Sequence, residues 1–260
     1  MLRRTMCALA VLALSSICHA RPAVARDRHG NQDLPEREEI NQTYSREDIS
    51  AIAVNDISGS VTVENSDGAN IEVHVVRSAR SQDDLTHRKI LLDRVGNKLQ
   101  VHTEPHHGFD WDNVDVRQRV LLRVPTNIDL TINDISGSVT IARVDGHMRI
   151  NDISGSVDVA STAGSPHIND ISGSVTVTIT NLDAEGIRIN DISGPVDLRV
   201  SGVASADIRI DDISGSISVD LPTAVVVGKI DSESYHGRIG NGGPVIGIND
   251  ISGSVEIHSN

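Results

Sequence analysis

Apolar and polar residues alternate along most of the chain, in short runs separated by Gly, Ser and Asp. Within residues 138–155, Val139-Thr140-Ile141 alternates, Asp145-Gly146 follows, and Met148-Arg149-Ile150 alternates again. Strict alternation is typical of a strand with one buried face, and an Asp-Gly pair is typical of a turn. We therefore expect a strand, a variable turn, a second strand and a second turn at Ile153-Ser154-Gly155.

The second turn belongs to a heptapeptide, Asn-Asp-Ile-Ser-Gly-Ser-Val, which recurs along the chain with near copies from Asn190 and Asp211. Consecutive copies between residues 133 and 212 lie 18 or 21 residues apart, and a decayed copy covers residues 230–239. The repeated turn positions are Asn55, Asp56, Gly59, Asn133, Asp134, Gly137, Asn151, Asp152, Gly155, Asn169, Asp170, Gly173, Asn190, Asp191, Gly194, Asp212, Gly215, Asn249, Asp250 and Gly253.

A period near 20 residues predicts coils that stack on one another. The predicted fold class is therefore all-β: a single β-helix, or β-solenoid, built from coils of about 18–21 residues with two short strands each. The Ile that follows each motif Asp should form one stacked column. We expect each turn glycine either to adopt a positive φ or to leave no room for a Cβ atom against the next coil.

The N-terminus has the pattern of a secretory signal peptide over residues 1–20. Arg3 and Arg4 precede a short apolar run over residues 7–17, and cleavage is expected after Ala20, with Ala25 as the alternative site. Export implies the periplasm, the cell surface or the extracellular space, with no membrane insertion after the signal is cleaved.

The rest of the chain divides by pattern into a leader and a repeat domain. Residues 26–48 are polar and lack periodicity, which predicts a disordered leader. Residues 49–260 form the predicted β-helical domain. An irregular insertion at residues 79–114 should contain a short helix near residues 82–88 and a hairpin around Gly96-Asn97.

Composition narrows the classes of partner. The formal net charge is −13, which argues against nucleic acid, because nucleic-acid binding needs a basic patch. Both cysteines, Cys7 and Cys18, lie in the predicted signal, so the mature chain has no disulfide. Aromatic residues make up only 2% of the chain, which suits the small aliphatic interior of thin stacked coils.

Three segments carry a family resemblance. They are the strand Val120–Val124 with Pro125 at its end, the strand Ile128–Ile132, and the recurring Ser-Gly-Ser-Val step. Over about residues 48–260 the chain resembles a bacterial family of "putative adhesins" with a β-helical fold and no established biochemistry. The resemblance implies an exported, noncatalytic β-helix and supplies no catalytic residues. The regular Asn-Asp pair before the turn departs from that family's pattern.

The stacked aspartates allow three interpretations. Their carboxylates cap turn N–H groups two residues on, or face solvent, or share Ca²⁺, which takes six to eight oxygen ligands. The candidate calcium ligands are Asp134, Asp152, Asp170, Asp191 and Asp212. No other cofactor is expected. The stacked asparagines should form an amide ladder from coil to coil.

One loop differs from the repeats. Residues 105–112 contain His106, His107, Phe109 and Trp111, beside two aspartates. The loop either covers an open end of the stacked coils or binds a ligand or metal.

The sequence contains no HExxH, GxSxG or phosphate-loop motif, and its acidic residues recur in every coil, whereas a catalytic residue is unique. We therefore expect a noncatalytic structural or adhesive binding module of the cell envelope, with a protein or glycan partner. A calcium-binding β-roll-like module is the alternative, and a polysaccharide-active enzyme is a remote one.

Overall fold

The computed structural model describes residues 34–104, 115–222 and 224–259, which form two long β-sheets and one short helix. The ten-stranded sheet is called sheet A and the eleven-stranded sheet is called sheet B. The N-terminal elements are β1 (Glu36–Ser45), β2 (Ala51–Ile57), β3 (Gly59–Asn65), β4 (Asn70–Ala79), α1 (Gln82–His87), β5 (Ile90–Val95), β6 (Lys98–Thr103) and β7 (Val116–Val124).

Five of the seven motif copies lie in a regular series of strand pairs, in which the first strand of each coil joins sheet B and the second joins sheet A. This series is β8 (Asp129–Ile135), β9 (Val139–Ile141), β10 (Met148–Ile153), β11 (Val157–Thr162), β12 (Pro166–Ile171), β13 (Val175–Ile179), β14 (Ile187–Ile192), β15 (Val196–Val200), β16 (Ala206–Ile213) and β17 (Ile217–Asp220). The last strands are β18 (Ala224–Ile230), β19 (Tyr235–Ile239), β20 (Val245–Ile251) and β21 (Val255–Ser259).

The strand order shows where the stack departs from the predicted single helical path. Sheet A runs β1-β4-β7-β3-β9-β11-β13-β15-β21-β17, and sheet B runs β18-β19-β16-β20-β14-β12-β10-β8-β2-β6-β5. The C-terminal coil, β20 and β21, thus lies between two coils that precede it in the chain. The fold is all-β, as predicted, but it consists of two sheets in which the coils do not follow sequence order throughout.

The core lies between the two sheets and consists almost entirely of Ile, Val and Leu. Ile132 and Ile150 of sheet B and Val139 and Val157 of sheet A belong to one continuous buried cluster. The pairing register also aligns the motif isoleucines in one column, as expected, in the order Ile57, Ile135, Ile153, Ile171, Ile192, Ile251 and Ile213. Each coil is thin, so small aliphatic side chains fill it without aromatic rings.

The leader prediction is wrong for the part of residues 26–48 that the structure describes. Glu36–Ser45 forms β1, which pairs antiparallel with β4 along its full length. Its side chains alternate between half-buried and exposed, and Ile40 and Tyr44 pack against the core. Frequent charges on an edge strand resemble a disordered segment in composition, which explains the error.

The predicted insertion at residues 79–114 is part of the fold as far as residue 104. α1 begins with a capping box between Ser81 and Asp84, and Leu85 is buried. β5 and β6 form the expected hairpin, and β6 extends sheet B by pairing parallel with β2. The decayed copy at residues 230–239 also differs from a coil, because β19 pairs antiparallel with β16.

The turn glycines are explained by close approach and not by a positive φ. A Cβ atom built on Gly155 would lie 2.6 Å from both the carbonyl carbon and the oxygen of Gly137. Gly137 and Gly173 face the preceding coil's glycine in the same way, at 2.4 and 2.5 Å. None of the motif glycines has a positive φ, because the preceding aspartate adopts it instead. The glycine column therefore lets successive turns touch through their backbones.

We predict that Gly155→Ala destabilises the fold by about 1–3 kcal/mol, because the methyl group must push two coils apart. Thermal melting measures the loss. Gly68→Ala is the control, since a Cβ atom at Gly68 would have Ser66 Oγ as its nearest neighbour, at 3.6 Å. Equal melting temperatures for Gly155→Ala and the parent would contradict the close-contact explanation.

Candidate functional site: the outer face of sheet B

The motif aspartates mark a corner at the end of each sheet B strand. All seven have a left-handed backbone, with φ of 55° at Asp56 and Asp134, 54° at Asp152 and 58° at Asp212. Asp and Asn are the residues, apart from Gly, that tolerate this region best. The aspartate is an extra residue in the strand and interrupts its in-out alternation. An exposed Asp and a half-buried Asn therefore both point outward between two inward isoleucines.

The asparagines form a hydrogen-bonded ladder beside this corner. Asn151 Nδ2 donates to Asn133 Oδ1 at 3.0 Å, and Asn169 donates to Asn151 at 2.9 Å. Asn190 donates to Asn169 at 3.0 Å, and Asn249 donates to Asn190 at 3.1 Å. The sequence separation of the last pair is 59, so the ladder passes through the inserted C-terminal coil.

The ladder ends where an Asp replaces the Asn. Asp211 is paired with Asn249 in the register, and its carboxylate has no N–H to donate. It lies 2.9 and 3.1 Å from Nε2 of His236 on β19. The substitution at Asp211 thus joins the last coil to the antiparallel hairpin.

The structure does not support the interpretation that the aspartates cap N–H groups two residues on. The N–H of Ser154 instead donates to the carbonyl of Ile135 in the preceding coil at 2.9 Å, and Ser172 does the same with Ile153. Asp134, Asp152, Asp170, Asp191 and Asp250 each accept a hydrogen bond from the amide of the Asn directly before them. The coil-to-coil hydrogen bonds have already used the donors that a cap would need.

The corner carries an open groove of about 450 Å³, which we call the corner groove. Its lining repeats one Asp, one Ile and one Ser from coil to coil, namely Asp134, Ile135, Ser136, Asp152, Ile153, Ser154, Asp170, Ile171, Ser172, Asp191 and Ser193. The Asp and Ser side chains are exposed and the isoleucines are buried. Asp212 and Asp250 continue the aspartate column beyond this groove, with Asp250 between Asp191 and Asp212.

Burial and electrostatic repulsion both act on Asp134 in this column. Burial raises the pKa of the Asp134 carboxyl, and the neighbouring charges of Asp56 and Asp152 raise it further. Within the described residues, no three His, Cys, Asp or Glu side chains converge as a metal site would require. The predicted calcium ligands therefore form a line along the corner and not a cage.

A second column on this face was not predicted. Arg149, His167, Arg188 and Arg209 occupy the position two residues before the motif Asn or its replacement, and the register aligns them across sheet B. Burial lowers the pKa of His167, and the charges of Arg188 and Arg149 lower it further. An alignment of the repeats would have shown this column, because the basic residue has a fixed place before the motif.

The candidate ligand loop lies outside the described residues. This loop contains His106, His107, Phe109 and Trp111. The predicted signal peptide, residues 1–20, also lies outside the described residues. In the part of the chain that is described, no helix has the length and apolar character needed to cross a membrane.

A family comparison decides which group of proteins the chain represents. The profile described as Toastrack DUF4097 matches residues 128–258, just over half of the chain. The chain belongs to the Toastrack DUF4097 family. The match begins at β8 and contains six of the seven copies of the Asn-Asp or Asp-Asp turn, so the stacked coils are the Toastrack part of the protein.

Solved structures similar to this Toastrack chain have low sequence identity. A "putative cell adhesion protein" from Clostridium sporogenes is 12% identical, with 86% of this chain and 100% of that chain covered and a TM-score of 0.43. A "putative adhesin" from Bacteroides fragilis is 10% identical, with 84% and 96% covered and a TM-score of 0.34. A search of curated proteins finds no match.

We predict that Asp134→Asn raises the melting temperature at pH 7 by a few degrees. Folding raises the pKa of the Asp134 carboxyl. Its contribution to the free energy of unfolding is therefore fully present below the unfolded pKa, about 3.9, and is lost as the carboxyl ionises at higher pH. Asn keeps the left-handed preference and removes a repulsion of roughly 0.9 kcal/mol per neighbour in water. The gain should vanish at pH 3, and Asp67→Asn, in an exposed turn, should change nothing; a lower melting temperature at pH 7 would contradict this account.

We also predict that Asn169→Asp lowers the free energy of unfolding by about 1–3 kcal/mol. The change removes the bonds that Asn169 donates to Asn151 and Asp170, and it adds a carboxylate beside Asp170. Denaturant unfolding measures the effect, with Asn181→Asp as the control at an exposed loop position. If both variants unfold like the parent, the ladder contributes nothing to stability.

Proposed function

We propose that this protein is an exported, noncatalytic binding module of the bacterial cell envelope, built as one β-helical unit that binds a repetitive ligand along the corner groove. The observation that supports the proposal is the repetition of the same exposed Asp and Ser in four successive coils. Neighbouring coils lie about 4.8 Å apart, so the groove offers equivalent polar groups at a constant spacing.

The chemistry of the groove suits a polymer rich in hydroxyl groups. Each coil presents a carboxylate, which accepts hydrogen bonds, and a serine hydroxyl, which donates and accepts them. One such contact is weak in water, but several contacts along a linked ligand add through effective concentration. An envelope glycan is therefore the favoured partner, and an extended protein segment is the other.

Repetition also argues against catalysis at the groove. Hydrolysis of a glycosidic bond needs two carboxylates in distinct roles, an acid and a base or nucleophile, set by different environments. The aspartates of successive coils instead share the same backbone conformation and the same hydrogen bond from the preceding Asn. A binding role needs no such difference between them.

We predict that the purified, immobilised chain retains a polysaccharide from an array of envelope glycans and peptidoglycan fragments. The double variant Asp152→Asn with Asp170→Asn should weaken retention at least tenfold, because it removes two adjacent charged acceptors. The matched control, Asp67→Asn with Asp220→Asn, removes the same charge elsewhere on the surface. Equal loss in both variants, or release of new sugar ends from the retained glycan, would contradict the proposal.

Calcium binding is the second candidate function, because the register stacks the exposed motif aspartates of successive coils in one column. We expect the melting temperature to change by less than about two degrees between EDTA and 5 mM CaCl₂, since a calcium ion needs six or more oxygens around one point. A rise above about ten degrees that Asp152→Asn reduces would establish the calcium-dependent module instead.

A further inference from the structure

The basic column is interrupted at one place by a glycine. The register of sheet B pairs Arg188 with Gly247 on one side, and Gly247 with Arg209 on the other. The two arginines are therefore separated by two strand spacings, roughly 9.6 Å along the sheet. Both side chains are exposed, on the outer face of the sheet.

Gly247 differs from the turn glycines because its backbone does not require a glycine. A Cβ atom at Gly247 would lie 3.7 Å from its nearest neighbour, the Ile187 carbonyl oxygen, which is an ordinary contact. At Gly253, in the same coil, the corresponding distance is 2.4 Å. The missing side chain at Gly247 leaves space on the outer face between the strand positions of Arg188 and Arg209.

This space is part of a depression of about 430 Å³, which we call the arginine cleft. Its lining contains Arg188, Arg209, Val245, Gly247 and Asn249. The cleft combines two arginine side chains and the carboxylate of Asp211 with an apolar wall at Val245. It is separate from the corner groove, whose lining shares none of these residues.

The two arginines form no ion pair among the described residues, although the chain carries a net charge of −13. Two carboxylates lie near them, and each has another partner: Asp211, which lines the cleft, pairs with His236, and Asp207 pairs with Arg238. Arg188 Nη1 lies 3.3 Å from His167 Nε2, which is a neutral acceptor. A guanidinium group presents a planar fork of N–H donors that binds carboxylates, and the cleft lining contains two such groups.

The asparagine ladder supplies a third group at the same place. The Oδ1 atoms of Asn133, Asn151, Asn169 and Asn190 each accept a hydrogen bond from the asparagine of the next coil in the stack. On the next strand of the stack, the residue beside Asn249 is Asp211, whose carboxylate cannot donate a hydrogen bond. Within the described residues, no hydrogen bond to Asn249 Oδ1 is found. A free acceptor at the cleft selects a ligand that also carries a hydroxyl or amine donor.

We propose that the arginine cleft binds an acidic saccharide of the uronate type. Its carboxylate lies between Arg188 and Arg209 above Gly247, its ring contacts Val245, and a ring hydroxyl donates to Asn249 Oδ1. This site goes beyond the proposed function, because it uses neither the aspartates nor the serines of the corner groove. It adds a charged anchor for one sugar to the uniform contacts of the repeated corner.

The test measures binding of an oligogalacturonate to the full exported chain by calorimetry at low and at physiological salt. Arg188→Gln, Arg209→Gln and Gly247→Leu should each weaken binding at least tenfold. Arg149→Gln is the matched control, because it lies in the same basic column but two strands from Arg188, and it should change the affinity less than twofold. Gly247→Leu fills the gap at a position with room for a side chain, and its melting temperature should stay near that of the parent.

Two further probes separate the sources of an anion. The methyl ester of the same oligosaccharide should not bind, since it lacks the carboxylate, and inorganic phosphate should bind at least tenfold more weakly than the uronate, since it has no ring. Phosphate binding as tight as the uronate would overturn the saccharide assignment. Equal loss in all three arginine variants, or no uronate binding by the parent at millimolar concentrations, would overturn the cleft itself, whatever the result at the corner groove.

Discussion

Parallel pairing in register is the constraint on which the rest of this structure depends. It places each residue of a coil beside the equivalent residue of the next coil, about 4.8 Å away. Each residue type must therefore pack against, or bond to, a copy of itself. Isoleucine satisfies this condition by packing, asparagine by donating to the next amide, and glycine by letting two backbones touch. Aspartate gains no such contact from its copies, and at Asp134 burial and then the charges of Asp56 and Asp152 raise the pKa of the carboxyl.

The aspartate is retained at every corner despite this cost, and its backbone gives the structural reason. A left-handed residue is needed to place two outward positions between two inward isoleucines, and glycine is already used three residues later for the close contact. Asparagine would tolerate the same φ without charge. Backbone geometry therefore explains a small polar residue at the corner but does not explain the carboxylate, which is why a binding role for the charge is worth proposing.

The sequence predicted well those features that depend on one coil and its immediate neighbour. Alternation located the strands, and the copies of the heptapeptide predicted the isoleucine column. It could not predict the strand order, because every copy is nearly equivalent and can pair with any other. The position of β20 beside β14 depends on the end of sheet B. There β19 covers the outer edge of β16, and the C-terminal coil lies between β14 and β16. The leader differs from its predicted disorder for a related reason, since β1 is ordered by its pairing with β4, which lies later in the chain.

The insertion of the C-terminal coil also changes what the outer face can recognise. In sequence order Arg188 and Arg209 would be adjacent, and two guanidinium groups one strand apart would repel each other with nothing between them. The inserted coil brings Gly247 between them and at the same time makes Asn249 the last donor of the ladder, beside Asp211. A uniform repeat can bind a uniform polymer, but it cannot fix where along the stack a particular group lies. Gly247, Asn249 and Asp211 together provide such a reference point, and they lie on neighbouring strands because the coils are stacked out of sequence order.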